Sequence, residues 1–381
     1  MPLQVHAGGE GIPPARFLSL PALFRWQPRT TPSQSPQLWM INAMPALLNR
    51  SLLLAIAVLV ASCRPSGKSN RPEEFRAELK NAADLISRDL LRIRRQVESL
   101  AEYTATLYQP DAIVRNQPLA DPSVYALSRD GVLYKPVDDG KSAVFVSGHV
   151  PVDEEIRRIV CFTEPLDVAL RKIVNDSPEV VQAYYNDRNS YNRIYPFFDV
   201  LSQYEPGMDI PEYNFYYLAD EKHDPARQGV WVSQPYVDPA GRGWMISAIA
   251  PVYVGGRLEG VPGLDVTLRS ITDTYIDGGQ GNRALLANDG TIVAISDHLA
   301  IVLSLPPLEN HQYMQTIRMD TFRSDDFNLL KSRTRVVRDL AEEVLTKRKP
   351  SVPFIKDGQR YVVEAAPVEE LGWVLIALQR E

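Results

Sequence analysis

Apolar side chains recur at Phe75, Leu79, Ala82, Ile86, Leu90, Ile93, Val97 and Leu100. The pattern repeats every eleven residues, the period of a nearly straight helix rather than of a left-handed coiled coil. It predicts one long helix over 72–110. Asn70 caps it, with Glu73 three residues on as a capping box, and Gln109-Pro110 ends it. Such a helix lies along a domain or forms a stalk.

Beyond it the pattern mixes strands and helices. "YALSRDGVLYKP" (125–136) reads as strand, Asp130-Gly131 turn, strand, and "ALLANDGTIVAIS" (284–296) reads the same way around Asp289-Gly290. The stretch 153–187 reads as helical with a break near Pro165. Residues 190–203 read as a strand running into a long loop, and 324–348 as an amphipathic helix. Closing hairpins are expected in 243–268 and 360–378, each with Ala-Pro-Val at the end of its first strand. This weak internal repeat predicts two α+β modules after one long helix, split near 275–282, where "IDGGQGN" is rich in turn residues.

One strand carries a chemical question. In "EGVPGLDVTL" (259–268), alternation puts Pro262, Leu264, Val266 and Leu268 on one face and Val261, Gly263, Asp265 and Thr267 on the other. The first is a core face. The second sets a carboxylate among small residues.

The N-terminal pattern differs. "SLLLAIAVLVASC" (51–63) is an apolar run too short to span a bilayer as a helix, which needs roughly 20 residues. Arg50 precedes it, so residues 44–62 fit a signal peptide. Val60-Ala61-Ser62-Cys63 resembles the lipobox of bacterial lipoproteins, which implies lipidation of Cys63 and attachment to a membrane through acyl chains. Residues 63–71 form a polar tether. Residues 1–43, rich in Pro, Gly and Ser, fit no n-region. Translation is expected to begin at Met44 or Met40, leaving 1–43 a non-native extension.

Composition narrows the classes. The chain has 381 residues, 45% hydrophobic, enough for a sizeable core, and a net charge of -6 from 41 basic and 47 acidic residues. Nucleic acid as a partner is excluded by the missing basic stripe. Two cysteines, Cys63 and Cys161, make no disulfide framework, and the 5 scattered histidines make no metal site. No cofactor fingerprint is present. The sequence lacks Gly-x-Ser-x-Gly, His-Glu-x-x-His and a phosphate loop, so no enzyme is expected.

Four stretches carry a family resemblance: "NRIYPFFDV" (192–200), "FYYLAD" (215–220), "VWVSQPYVDPAGRGW" (230–244) and "APVYVGGRLEGVPGLDVTL" (250–268). With the long helix they resemble the double Cache sensor domains over residues 72–381. The resemblance implies an α+β fold in which the helix precedes two PAS-like modules, each an antiparallel sheet with flanking helices. The membrane-distal, ligand-binding module would span 111–277 and the membrane-proximal one 278–381. It also implies an extracytoplasmic sensor of small molecules. After "GWVLIALQRE" (372–381) the sequence offers no second membrane segment and no output domain. A lipid on the periplasmic side is then the expected anchor, and a separate signalling or transport protein the expected partner.

In amino-acid-binding members the pocket carries an Arg, an aromatic pair, Tyr-x-Asp and a later Asp. The resemblance maps Tyr236 and Asp238 onto Tyr-x-Asp, Asp265 onto the later Asp, and Phe215 and Tyr216 onto the aromatic pair. The Arg has no match; Tyr213 stands nearest, and Arg193 is the substitute to consider. Trp231 and Tyr217 complete the candidate ligand residues. A buried carboxylate among aromatic faces suits an amine, through a charge-assisted hydrogen bond and cation–π contact. Asp265 could instead bond backbone N–H groups or pair with Arg242 or Arg257, and Asp238 could only shape its turn. Two other functions stay open: an interaction lipoprotein with a vestigial pocket, and an enzyme using Asp238 and Asp265 as acid and base.

Overall fold

The computed structural model describes residues 71–112, 122–276, 282–305 and 327–381. The signal peptide, Cys63 and the Asn70 cap lie outside them. No described helix is long and apolar enough to cross a membrane.

Helix α1 (Arg71–Leu107) runs for 37 residues, roughly 55 Å at 1.5 Å per residue. Leu79, Ile86, Leu90, Ile93, Val97 and Leu100 are buried along one stripe, as the eleven-residue period predicts. Ala83 is fully buried, whereas Ala82 and Phe75 only flank the core. The stripe packs on the sheets of both modules. Ion pairs fasten the polar flank to the second module: Arg76 to Glu364 at 2.9 Å, Arg94 to Glu370 at 2.5 Å and Arg283 to Glu78 at 2.7 Å.

The first module comprises β1 (Ala126–Leu127), β2 (Leu133–Tyr134), β3 (Ala143–Val146), α2 (Glu154–Phe162), α3 (Leu166–Asp176), β4 (Gln182–Asp187), β5 (Tyr191–Tyr195), α4 (Val200–Gln203), α5 (Asn214–Tyr217), β6 (Val230–Val237), β7 (Trp244–Ile249), β8 (Val252–Val254), β9 (Arg257–Thr267) and α6 (Leu268–Ile271). Its antiparallel sheet runs β1-β2-β3-β5-β4-β9-β7-β6, with β8 paired to β9. The helix break near Pro165 is present, between α2 and α3. The helical reading fails after Asp176, because 182–187 is β4. Its alternation of Ala183 and Tyr185 against Tyr184 fits a sheet buried on both faces, where neither face is polar enough to reveal a period of two.

The second module comprises β10 (Arg283–Leu286), β11 (Ile292–Ile295), α7 (Asp297–Val302), α8 (Arg335–Ala341), β12 (Ser351–Lys356), β13 (Gln359–Val368) and β14 (Trp373–Arg380), with sheet order β11-β10-β14-β13-β12. The amphipathic helix expected from 324 starts at Arg335. Leu329–Lys331 form a separate short turn of helix held by Asn328, whose side chain accepts from Leu330 N.

The first sheet divides two cores by strand parity. Val144, Val146, Ala183, Tyr185, Ile246, Ala248, Leu264 and Val266 face α1 with α2 and α3. Ala143, Phe145, Tyr184, Ile194, Val232, Ile249 and Val261 face the other way, under the segment from Val200 to Ala219. The candidate site lies on that second face.

Candidate functional site

Asp265 is 1% exposed and sits at the middle of three strands in register. Gln182 on β4 and Ser247 on β7 are its direct partners across the ladder. Directly opposed side chains share a face. Gln182 Nε2 therefore donates to Asp265 Oδ2 at 2.6 Å, and the Ser247 hydroxyl donates to Oδ1. Ser247 in turn contacts the Tyr236 hydroxyl at 2.6 Å. Among the described residues no guanidinium forms a salt bridge with Asp265: Arg257 is engaged with Glu259, and Arg242, whose backbone N–H goes to Asp238, acts on both carboxyl groups through its charge at a distance.

Between Val232 and Tyr236 the β6–β7 register shifts. The resulting bulge carries Tyr236 and the following turn over the same hollow, the usual consequence of extra residues in one strand of a pair. Asp238 opens that turn and is itself buried. Its carboxylate accepts from Ala240 N at 2.8 Å and Arg242 N at 3.0 Å. It shapes its own loop and also lines the hollow.

The hollow encloses about 20 Å³, room for one water or one ammonium group. Polar walls come from Gln182, Asn186, Asn192, Asp238 and Asp265, and aromatic ones from Tyr184, Tyr204, Phe215 and Tyr236. Gly263 makes the Tyr184 wall feasible: a Cβ there would lie 2.1 Å from the tyrosine ring. No Lys, Arg or His lines the space. Two buried carboxyl groups with no cation in direct contact cannot both ionise readily, and the Arg242 charge offsets this only in part. Burial first, and the Asp238 charge second, push Asp265 up to about 8; burial likewise raises Asp238. Asp265 is thus mostly protonated at neutral pH.

One buried polar atom of the hollow, Gln182 Oε1, has no hydrogen-bond partner among the described residues, whereas the Tyr184 hydroxyl lies beside the hydroxyls of Ser247 and Tyr236. Unsatisfied buried polar atoms are few in folded proteins, so Gln182 Oε1 is placed to accept from a water or a ligand donor.

The candidate residues separate into two groups. Asp265, Asp238, Tyr236 and Phe215 meet at the hollow. Tyr213 stacks on Phe215 at 5.1 Å from an exposed position. Tyr216 is buried in the same core without lining the space, and Tyr217 packs against His223 instead. Trp231 and Arg193 are turned away. Trp231 packs toward α1 and donates Nε1 to Glu370 at 3.1 Å. Arg193, 1% exposed, pairs with Asp167 at 2.8 Å and also donates to Tyr191 and Val160 O. Strand parity is the reason: on β5 Asn192 and Ile194 face the hollow, so Arg193 faces the helices.

Sequence reading missed Gln182, Tyr184, Asn186, Asn192, Tyr204 and Ser247. Gln182, Tyr184 and Asn186 alternate along β4, a signal hidden once that stretch is read as helix. Among the described residues no cluster of three His, Cys, Asp or Glu side chains could hold a metal.

Numbered in chain order, β4, β5, β6, β7 and β9 form the sheet order 2-1-5-4-3, and β10 to β14 form the same order. One helix backs both PAS-like sheets. The chain thus has two PAS-like modules behind one long helix, the arrangement that the resemblance to double Cache domains implies. The repeat it contains is offset from the one in the sequence: β4–β5, not the 125–136 hairpin, corresponds to β10–β11, and β1–β3 extend the first sheet.

No family model matches the chain, and no curated protein does. Solved structures do. One is the ligand-binding domain of the Pseudomonas aeruginosa amino acid chemoreceptor PctB with L-Arg, at 14% identity, TM-score 0.47, 81% of this chain and 95% of that one. A second is that of the Pseudomonas fluorescens chemoreceptor CtaA with L-alanine, at 14% identity, TM-score 0.45, 81% and 96%. A third is the sensory domain of the Campylobacter jejuni chemoreceptor Tlp3 with isoleucine, at 11% identity, TM-score 0.44, 84% and 98%.

Proposed function

We propose that this chain is a non-enzymatic extracytoplasmic sensor or binding protein whose first module takes a small polar ligand through an ammonium group. The observation that carries this is Asp265, a buried carboxyl group with no cationic partner, beside a hollow walled by Tyr184, Tyr204, Phe215 and Tyr236. An isolated buried carboxylate is costly. An ammonium supplies the missing positive charge, a charge-assisted hydrogen bond and cation–π contact of about 0.5–2 kcal/mol with the rings. On binding, the Asp265 carboxyl gives up its proton to solvent, and the ion pair forms in the place of the neutral acid.

The lining also limits the rest of the ligand. With no Lys, Arg or His among the described residues lining the hollow, a ligand carboxylate there would stand near Asp238 and Asp265 with only the more distant Arg242 as counter-charge. This favours an amine over an α-amino acid. The ligand body extends past the enclosed space under the cover that Met208, Ile210 and Phe215 provide, so that cover shifts on binding. Lipidation of Cys63 holds the protein at the periplasmic face of a membrane, and a separate signalling or transport protein reads the bound state.

A thermal-shift screen of amines, amino acids and organic acids tests the ligand class. Ligand at 100 times its dissociation constant adds about 2.7 kcal/mol of stability. An amine should raise the melting temperature of the wild type and leave Asp265→Ala, checked for fold by circular dichroism, unmoved. Stabilisation by carboxylic acids alone, or equal shifts in the variant, refutes the reading. Cys63→Ser expressed in bacteria should leave the membrane fraction; retention there refutes the anchor.

A further inference from the structure

We infer that the first-module site selects primary ammonium groups over N-methylated ones, and that Gln182 is the specificity-determining residue. This rests on the amine reading above and deepens it.

An aromatic-lined pocket with a carboxylate is, by itself, equally suited to a quaternary ammonium, whose methyl groups lie against ring faces. The choice is made by acceptors. A primary ammonium carries three N–H donors and a quaternary one carries none. Asp265 and Gln182 both line the hollow, and the Asp265 carboxylate and Gln182 Oε1 are the acceptors they offer there. Gln182 is 1% exposed, and its Oε1 lacks a partner among the described residues.

The Gln182 amide is fixed in its orientation. Its Nε2 is committed to Asp265 Oδ2 at 2.6 Å and lies 3.9 Å from Met245 Sδ. Once Asp265 is ionised, as it is opposite a bound ammonium, both neighbours are acceptors, so the amide cannot then turn over without setting its oxygen against a carboxylate and a thioether. Oε1 is thereby held as a free acceptor beside the anion. A primary ammonium satisfies it. A trimethylammonium leaves Gln182 Oε1 buried and unbonded, now without access to water. Sites built around a hydrogen-bonded group reject analogues that lack it, because their own polar atoms are left unpaired.

The test is calorimetric titration of the wild type with two series, ethanolamine and 2-phenylethylamine, each with its N-methyl, N,N-dimethyl and N,N,N-trimethyl homologues. Affinity should fall along each series that binds, by about tenfold or more from primary to quaternary. The near-isosteric Gln182→Met should lose primary-amine affinity, leave the quaternary value unchanged and so flatten the series. Quaternary binding as tight as primary overturns the inference while leaving the amine reading intact. A wild-type series that falls but is unchanged in Gln182→Met removes Gln182 as the determinant. Absence of binding by every member at millimolar concentration overturns the amine reading itself. Should Gln182→Met fail to fold, the wild-type series still decides the selectivity, and Gln182→Leu replaces it for the residue.

Discussion

The indole Nε1 of Trp231, on β6 of the first module, donates to Glu370, in the β13–β14 turn of the second, at 3.1 Å. The same carboxylate oxygen receives Arg94 of α1 at 2.5 Å. Glu370 thus ties the long helix to both modules. Trp231 shares its strand with Tyr236, so the tie begins on an element that also walls the hollow.

Replacing Glu370 by Gln keeps a shape that accepts from Trp231 but removes the charge that pairs with Arg94. Replacing it by Ala removes both. Arg94 is about a quarter exposed, so solvent takes up part of the loss. Urea unfolding should show Glu370→Ala less stable by about 1–3 kcal/mol and Glu370→Gln by less. Equal stability of all three would mean that the contact contributes nothing.

Asp265 should make the protein less stable as pH rises. Its pKa is about 8 folded and near 4 unfolded, so the native state holds a proton that the unfolded chain has lost across that window. Stability is retained below about pH 4 and falls toward pH 8, by at most about 1.4 kcal/mol per pH unit from this group. Asp265→Asn cannot titrate. The stability difference between variant and wild type should grow in the variant's favour from pH 4 to 8, measured by denaturant melts. A difference independent of pH contradicts the prediction.

Ligand binding should follow the same proton. Below about pH 8 an ammonium must displace it, so affinity for a stabilising amine should rise about tenfold per pH unit and level off above pH 8. Calorimetry at pH 6, 7, 8 and 9, in buffers of different ionisation enthalpy, would show the proton released. A flat profile means that Asp265 is already ionised or is not the partner.

Gly263→Ala should disturb the Tyr184 wall. The new methyl lies 2.1 Å from the ring, which must swing into the hollow or push β9 aside. A loss of about 1–3 kcal/mol in stability is expected, together with weakened amine binding. Unchanged binding would show that the ring position is irrelevant to the site.

Arg193→Leu separates structure from recognition. Removing the guanidinium leaves Asp167 buried without its partner, a change that costs about 3–5 kcal/mol. Because Arg193 faces the helices, whatever folded protein remains at low temperature should bind amines with wild-type affinity. Lost binding in a folded variant would return Arg193 to the site.

The long helix, both closing hairpins and Asp265 were legible in the sequence, because each depends on short-range periodicity. Apolar residues every three or four positions give one helix face, and alternation around a lone carboxylate gives one strand face. Leu264 and Val266 against Val261 and Asp265 divide in the structure as alternation requires. Tertiary structure decided the rest. Which of two buried faces a residue meets depends on what packs there, and Trp231 and Arg193 fall on the helix side by a single residue of parity. The proximity of Gln182 and Ser247 to Asp265 is a matter of strand register between segments 83 and 18 residues away in the chain. Local pattern records neither, since register is set by the partner strand, and the orphaned oxygen of Gln182 exists only once three strands are laid side by side.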